Sequence, residues 1–190
     1  ALCREGLSLP IIGITGSVGK TSAKEMVWSV LSQRLQVLKT DKNLNNQIGV
    51  PMTVSRIEKG HQAAVIEMGI SHFGDMSALA PMVMPDIMIY TVIGHAHLEF
   101  LGDLEGVLRA KTELLPLIKE DALLILNGDD EYLRKIEGGH KKLFFGLGED
   151  NQLRAVDVRS LPDGGTACRI RGLGLDMDVS IPAYGQHMVY

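Results

Sequence analysis

The stretch GITGSVGKTS, Gly13 to Ser22, contains the parts from which phosphate sites are made. Gly16 and Gly19 let the backbone turn sharply and aim successive N–H groups at one point. Lys20 supplies a cation, and Thr21 offers a hydroxyl to Mg²⁺. The common pattern Gly-x-x-x-x-Gly-Lys-[Ser/Thr] is missed, because Ile14 stands where its first glycine belongs. The physical requirements are still met. Ser17, Val18 and Ser22 complete a compact variant loop, and Gly16 to Ser22 is the expected contact with a nucleotide phosphate.

Three further groups of residues stand where α/β proteins place ligands, at or just beyond the carboxyl ends of strands. Glu67 ends AAVIEM, His97 follows DIMIYTVIGHA, and Asp129 and Asp130 follow DALLILN. Carboxylates at such positions also serve as helix caps. His95 and His97 have the spacing of a metal pair, but H-x-H alone is a weak signal, and His97 is the member expected to act. Lys111 is different. Within LEGVLRAKTELLPLI, Leu104, Val107, Leu108, Leu115 and Ile118 form an apolar helical face, and Lys111 falls on that face. It either snorkels from the rim or is held in a site, where desolvation favours the neutral, reactive amine.

These residues need a scaffold, and the chain alternates short apolar runs with helical patterns, as β-α units of a parallel sheet do. PIIGIT, LQVLKT, AAVIEM, DIMIYTVI, DALLILN and KLFFG are the expected strands. After the first of them Ala23, Met26, Val27, Val30, Leu31 and Leu35 recur at helical spacing. The phosphate loop therefore lies between a strand and a helix. From Gln152 the pattern shifts to LRAVDVRS, the turn PDGG, TACRIRG and LDMDVSIP, which predict a small antiparallel appendage over residues 151–185. The fold expected is α/β: a P-loop nucleotide-binding domain with a mostly parallel sheet, flanking helices and that appendage.

Composition narrows the class. The 190 residues are 45% hydrophobic and 22% charged, enough for one domain with a sizeable core. A net charge of -4 and short Lys/Arg runs argue against a nucleic-acid partner. No run approaches the roughly 18 apolar residues of a membrane span, and ALCREGLSLP has no signal-peptide core. Cys3 and Cys168 make no disulfide framework or metal spacing, which fits a reducing, cytoplasmic setting. A GTPase is unsupported, since TDKN at Thr40 to Asn43 has the wrong order for a guanine motif. A small-molecule kinase stays open, because the loop does not name the phosphate acceptor.

Taken together, TGSVGKTSAKE, NLNNQIGVP, VIEMG, IGHAHLEFLG, EGVLRAKTEL and ILNGDD, in this order and separation, resemble the central ATP-binding domain of the Mur ligases. The resemblance runs from Pro10 to about Asp130 and continues more loosely to the end, and NLNNQIGVP points to the D-alanyl-D-alanine-adding branch. It implies ATP and Mg²⁺ as cofactors. The activity implied is an ATP-dependent carboxylate-amine ligation through an acyl phosphate, with a UDP-linked muramoyl peptide and D-alanyl-D-alanine as partners in peptidoglycan precursor synthesis. By the same resemblance Lys20 holds the β and γ phosphates, Thr21 and Glu67 hold one Mg²⁺, and His97 helps hold a second. Asn46 lies near the γ-phosphate, and His187 stands at the adenine. Lys111 matches a position that several members carbamylate with CO₂, giving an anion beside the second magnesium.

The chain departs from the family pattern at Val92, where asparagine is usual before Ile-Gly, and at His187-Met188, where His-Asn is common. Residues 1–190 are thus expected to be a central domain, monomeric, without the family's N-terminal UDP-substrate domain and C-terminal domain. A stand-alone nucleotide-binding module that regulates a partner is the alternative of another class.

Overall fold

The computed structural model describes residues 9–162, 164–183, 185 and 189; Cys3 lies outside them. Six expected strands form in the order of the sequence: β1 Ile11–Thr15, β2 Val37–Lys39, β3 Ala63–Glu67, β4 Ile87–Tyr90, β5 Leu123–Asn127 and β6 Lys141–Gly146. Three more follow, β7 Leu153–Ser160, β8 Thr166–Gly172 and β9 Leu175–Ile181. All lie in one sheet ordered β2-β3-β1-β4-β5-β6-β7-β8-β9. The pairs from β2 to β7 are parallel. Strands β1 and β3 are buried at every position, as their unbroken apolar text requires of strands covered on both faces.

The antiparallel set does not stand apart from the body. β7 joins the main sheet in parallel register with β6, Phe145 opposite Leu153, and only then do β8 and β9 pair antiparallel. Gln152 stitches this junction: its N–H donates to the Phe144 carbonyl at 3.0 Å, and its Oε1 accepts from the Phe144 N–H at 2.6 Å. β9 ends the sheet, and Leu175 to Asp178 on it are exposed.

Helix α1, Lys20–Leu31, covers one face through Ala23, Val27 and Leu31 packed on Ile12, Ile14 and Val65. The expected stripe is partly wrong, because Val30 is 71% exposed and the buried residue of this helix is Lys24. The opposite face holds the larger core. There α2 Gly49–Val54, α3 Asp75–Val83 and α5 Leu104–Thr112 contribute Val50, Leu79, Val107 and their neighbours. The short α4, Leu98–Leu101, precedes α5.

The helix read from Leu104 towards Ile118 stops at Thr112, and a 3-10 turn follows at Leu115–Leu117. Pro116 accounts for the break, since it has no N–H for the ladder and disfavours helix at the residue before it. Leu115 and Ile118 still reach the core. Strand order reverses around β1, which has β3 on one side and β4 on the other. In open α/β sheets the ligand crevice lies outside the carboxyl ends at such a point. The phosphate-loop sequence leaves β1 there.

Candidate functional site

The loop between β1 and α1 owes its path to two glycines and to the next strand's exit. Gly16 has φ 149° and Gly19 has φ 81°, conformations that side chains resist. A Cβ on Gly16 would lie 1.9 Å from the Thr91 hydroxyl. That hydroxyl donates to the Val18 carbonyl at 2.6 Å. The Ser17 N–H donates to the Val92 carbonyl at 2.8 Å, and the Ser17 hydroxyl exchanges hydrogen bonds with Gly94 N–H and C=O, both at 2.9 Å. The loop is therefore anchored to the segment after β4. Thr91 and Gly94 were not signalled as partners by the sequence, because only folding brings them beside the glycines.

Among the described residues no side chain caps the N-terminus of α1, whose N-cap is Gly19. Its first N–H groups and the positive end of the helix dipole are open to an anion. Lys20 folds back and donates to the carbonyls of Gly16 and Ser17 at 2.8 and 3.2 Å. Burial lowers its pKa, while the Glu67 charge acts in the opposite sense.

Glu67, at the end of β3, is buried and fully engaged. Thr21 donates its hydroxyl to Oε2 at 3.0 Å, Asn45 donates its amide to Oε1 at 2.7 Å, and Lys24 Nζ lies 3.7 Å from Oε2. Asn46, the residue expected from the sequence, lines a cavity together with Asn45, but its Oδ1 accepts from the Ile48 and Gly49 N–H groups at the start of α2. Its neighbour Asn45 makes the carboxylate contact. Two adjacent asparagines are indistinguishable by type, and only the turn decides which one points inward.

Lys111 is 2% exposed, so the inward alternative holds. Burial first, and the charge of Lys20 second, bring its pKa down to about 7. Buried Tyr90 donates to the Lys111 carbonyl at 3.0 Å and fixes the end of α5 against β4. Asp103 caps the other end by accepting from the Gly106 N–H at 2.7 Å. His97 is exposed, with φ 55°, at the N-cap of α4. That backbone is strained for a residue other than glycine.

Two cavities meet at the phosphate loop. One of about 560 Å³ brings together Gly16, Ser17, Lys20, Asn45, Asn46, His97 and Lys111. The other, about 730 Å³, lies past Val18, Gly19 and Ser22 and is walled by Met26, Val92, Ile93 and the Asn127–Tyr132 segment. The first is rich in charge and amide groups; the second has an apolar wall with acidic residues at one end. Asp129 and Asp130 at that end tie loops together. Asp130 accepts from the N–H groups of Ile93, Tyr132 and Leu133, and Asp129 from those of Leu147 and Gly148. The departure at Val92 puts a methyl surface where the family pattern has an amide. His187 lies outside the described residues.

Among the described residues no three His, Cys, Asp or Glu side chains converge as a metal cluster. Thr21 with Glu67 is a donor set of another kind, one hydroxyl and one carboxylate beside a phosphate loop. It suits a Mg²⁺ that completes its octahedron with water and phosphate oxygens.

A model of the Mur ligase middle domain matches residues 14–190. The UDP-N-acetylmuramoyl-tripeptide–D-alanyl-D-alanine ligase of Bacillus subtilis (strain 168) is 38% identical over 183 residues, 96% of this chain and 39% of the relative. The enzyme of that name from Escherichia coli (strain K12) is 33% identical over 192 residues, 100% of this chain and 42% of the relative. MurF from Acinetobacter baumannii superposes with a TM-score of 0.90 at 32% identity, covering 97% of this chain and 41% of that one. The MurF ligase of Thermotoga maritima, solved in complex with ADP, gives 0.84 at 28% identity, with 98% and 44% covered. The chain thus spans about two fifths of the length of these curated relatives. With the match running over nearly all of its length, the phosphate loop included, the chain belongs to the Mur ligase family as a middle domain.

Proposed function

We propose that this domain binds Mg-ATP and serves an amide ligation in which D-alanyl-D-alanine is joined to a UDP-N-acetylmuramoyl-tripeptide. The observation that carries the reading is the convergence of Lys20, the Thr21–Glu67 pair and Lys111 at the phosphate loop, beside an apolar cavity on its other side. The nucleotide lies across the loop. Its base enters the apolar cavity, and its phosphates sit on the uncapped N-terminus of α1 with Lys20 turned from its own carbonyls towards them.

The substrate carboxylate approaches from the cavity that holds Lys111 and His97. Its oxygen bonds to the γ-phosphorus as the bond to ADP breaks, giving an acyl phosphate. The amine of D-alanyl-D-alanine then attacks the acyl carbon, phosphate leaves with the C–O electron pair, and the amide loses a proton. Both steps concentrate negative charge, so the work of the protein is to place cations and align reactants. Mg²⁺ held by Thr21 and Glu67 would neutralise phosphate charge. His97 and a carbamylated Lys111 are the residues that would serve a second ion, and the lowered pKa of Lys111 supplies the neutral amine that carbamylation needs.

The test uses the full-length ligase that carries this domain, supplied with ATP, UDP-N-acetylmuramoyl-tripeptide and D-alanyl-D-alanine. ADP release and peptide product should appear together and only with all three present. ADP release with a different acceptor and no peptide product would overturn the assignment.

A further inference from the structure

Lys24 is the least expected residue of α1. It is 1% exposed, a charged residue at helical spacing with Val27 and Leu31 on the inward side of the helix, and its ion-pair partners among the described residues are carboxylates. Its Nζ lies 3.7 Å from Glu67 Oε2 and 3.2 Å from Glu25 Oε1. Taking a lysine and a glutamate out of water together is costly, and a pair at 3.7 Å recovers that cost only in part. Such an arrangement calls for a reason beyond stability.

The reason lies in which oxygen Lys24 faces. Glu67 Oε2 is the same atom that accepts from the Thr21 hydroxyl, while Oε1 is turned to Asn45. Lys24 follows Thr21 by three positions, so both project from one side of α1 towards the end of β3. Its second partner, Glu25, is half-exposed and already bound to Lys39, whose ammonium also rests 3.6 Å from the centre of the Trp28 ring. The Lys24 ammonium therefore lies between a carboxylate at the site and another outside it, within ion-pair distance of both and nearer the outer one.

We infer that Lys24 is a counter-ion shared by Glu67 and Glu25, holding the Glu67 carboxylate in place when no divalent ion is bound and releasing it, to stay with Glu25 alone, when one arrives. This rests on the reading of Thr21 and Glu67 as the Mg²⁺-facing pair. Lys24 is a positioning residue, since it acts through Glu67 and not on substrate. Its effect on the ion is a compromise. It keeps the carboxylate oriented for capture, and it weakens capture by leaving a positive charge nearby.

The experiment is a thermal-denaturation cycle on this chain with Lys24→Met, Glu67→Gln and the double variant, each with ADP plus chelator and with ADP plus Mg²⁺. In chelator, Lys24→Met should lower the midpoint by about 10 °C, because one partner of a buried pair is left alone. Mg²⁺ should then raise the midpoint of Lys24→Met by about twice the increment seen in the unsubstituted chain, as binding to the folded state alone predicts when affinity rises. Adding Glu67→Gln should restore most of the chelator midpoint and abolish the Mg²⁺ increment.

Additive losses in the cycle, or an equal Mg²⁺ increment with and without Lys24, would overturn the inference. Should Lys24→Met not fold, Lys24→Gln, which removes the charge but keeps a hydrogen-bond donor, takes its place in the same cycle. A chain whose midpoint ignores Mg²⁺ altogether, while still binding ADP, would overturn both this inference and the metal reading beneath it.

Discussion

Lys20 and Lys111 line one cavity, and the positive charge of the first adds to burial in drawing the amine of the second down to about 7. A free lysine side chain stays charged to about pH 10.4. Between those values the unfolded chain holds a proton at Lys111 that the folded chain does not. The unfolded state binds more protons there, so stability rises with pH from about 7 towards about 10, by at most about 1.4 kcal/mol per pH unit. Below about 7 both states are protonated and the contribution is flat. Urea midpoints at several pH values should show this slope in the chain and a shallower one in Lys111→Met. Parallel slopes would place the titration elsewhere.

The same amine should react with CO₂. In labelled bicarbonate at mildly alkaline pH, a carbon-13 carbamate resonance is expected in the chain and not in Lys111→Met. Its absence in the full-length ligase under the same conditions would count against a carbamate role for Lys111.

Lys20 tests the phosphate assignment. Lys20→Ala removes a charge-assisted donor, and ATP or ADP should bind about 10- to 100-fold more weakly by calorimetry, as a loss of about 1.5–3 kcal/mol implies. Equal affinity in the two proteins would sink the assignment of this loop to phosphate. The fold would be untouched by that result.

Gly16 tests the anchoring of the loop. An alanine there meets the Thr91 hydroxyl and a φ of 149°, so Gly16→Ala should destabilise the chain by about 3 kcal/mol. Adding Thr91→Ala should relieve the collision but not the backbone strain, recovering only part of the loss. Chemical denaturation of the two variants gives the comparison, and full recovery would mean that φ carries no penalty here.

Much of this architecture could be read from the sequence because its strands are buried on both faces and write themselves as unbroken apolar runs. The phosphate loop was legible for a similar reason, since Gly16, Gly19, Lys20 and Thr21 are local to one another. What could not be read is what depends on partners distant in sequence. Asn45 and not Asn46 contacts Glu67 because the 43–48 turn presents it, and the pairing of Lys24 with Glu67 exists only because folding sets α1 beside the end of β3. Asp129 and Asp130, strand-end acids by sequence, prove to be receptors for backbone N–H groups of neighbouring loops. Lys111 shows the converse. Its place on an apolar face marked it as unusual, but only the packing of α5 determined that it points inward.

The sheet closes on β9, whose outer backbone edge has no further strand beside it among the described residues. A bare edge is a template on which another chain can pair and polymerise. Along β9, Asp176 and Asp178 alternate with Leu175 and Met177, and Asp176 is held by Arg169 and Arg171 across the β8 pairing. Two such edges brought together antiparallel would set acid against acid, and like charges directly opposite are unfavourable. The alternation that puts leucine and methionine on one side thus puts Asp176 and Asp178 on the other, and any register that sets those acids opposite their own copies is disfavoured.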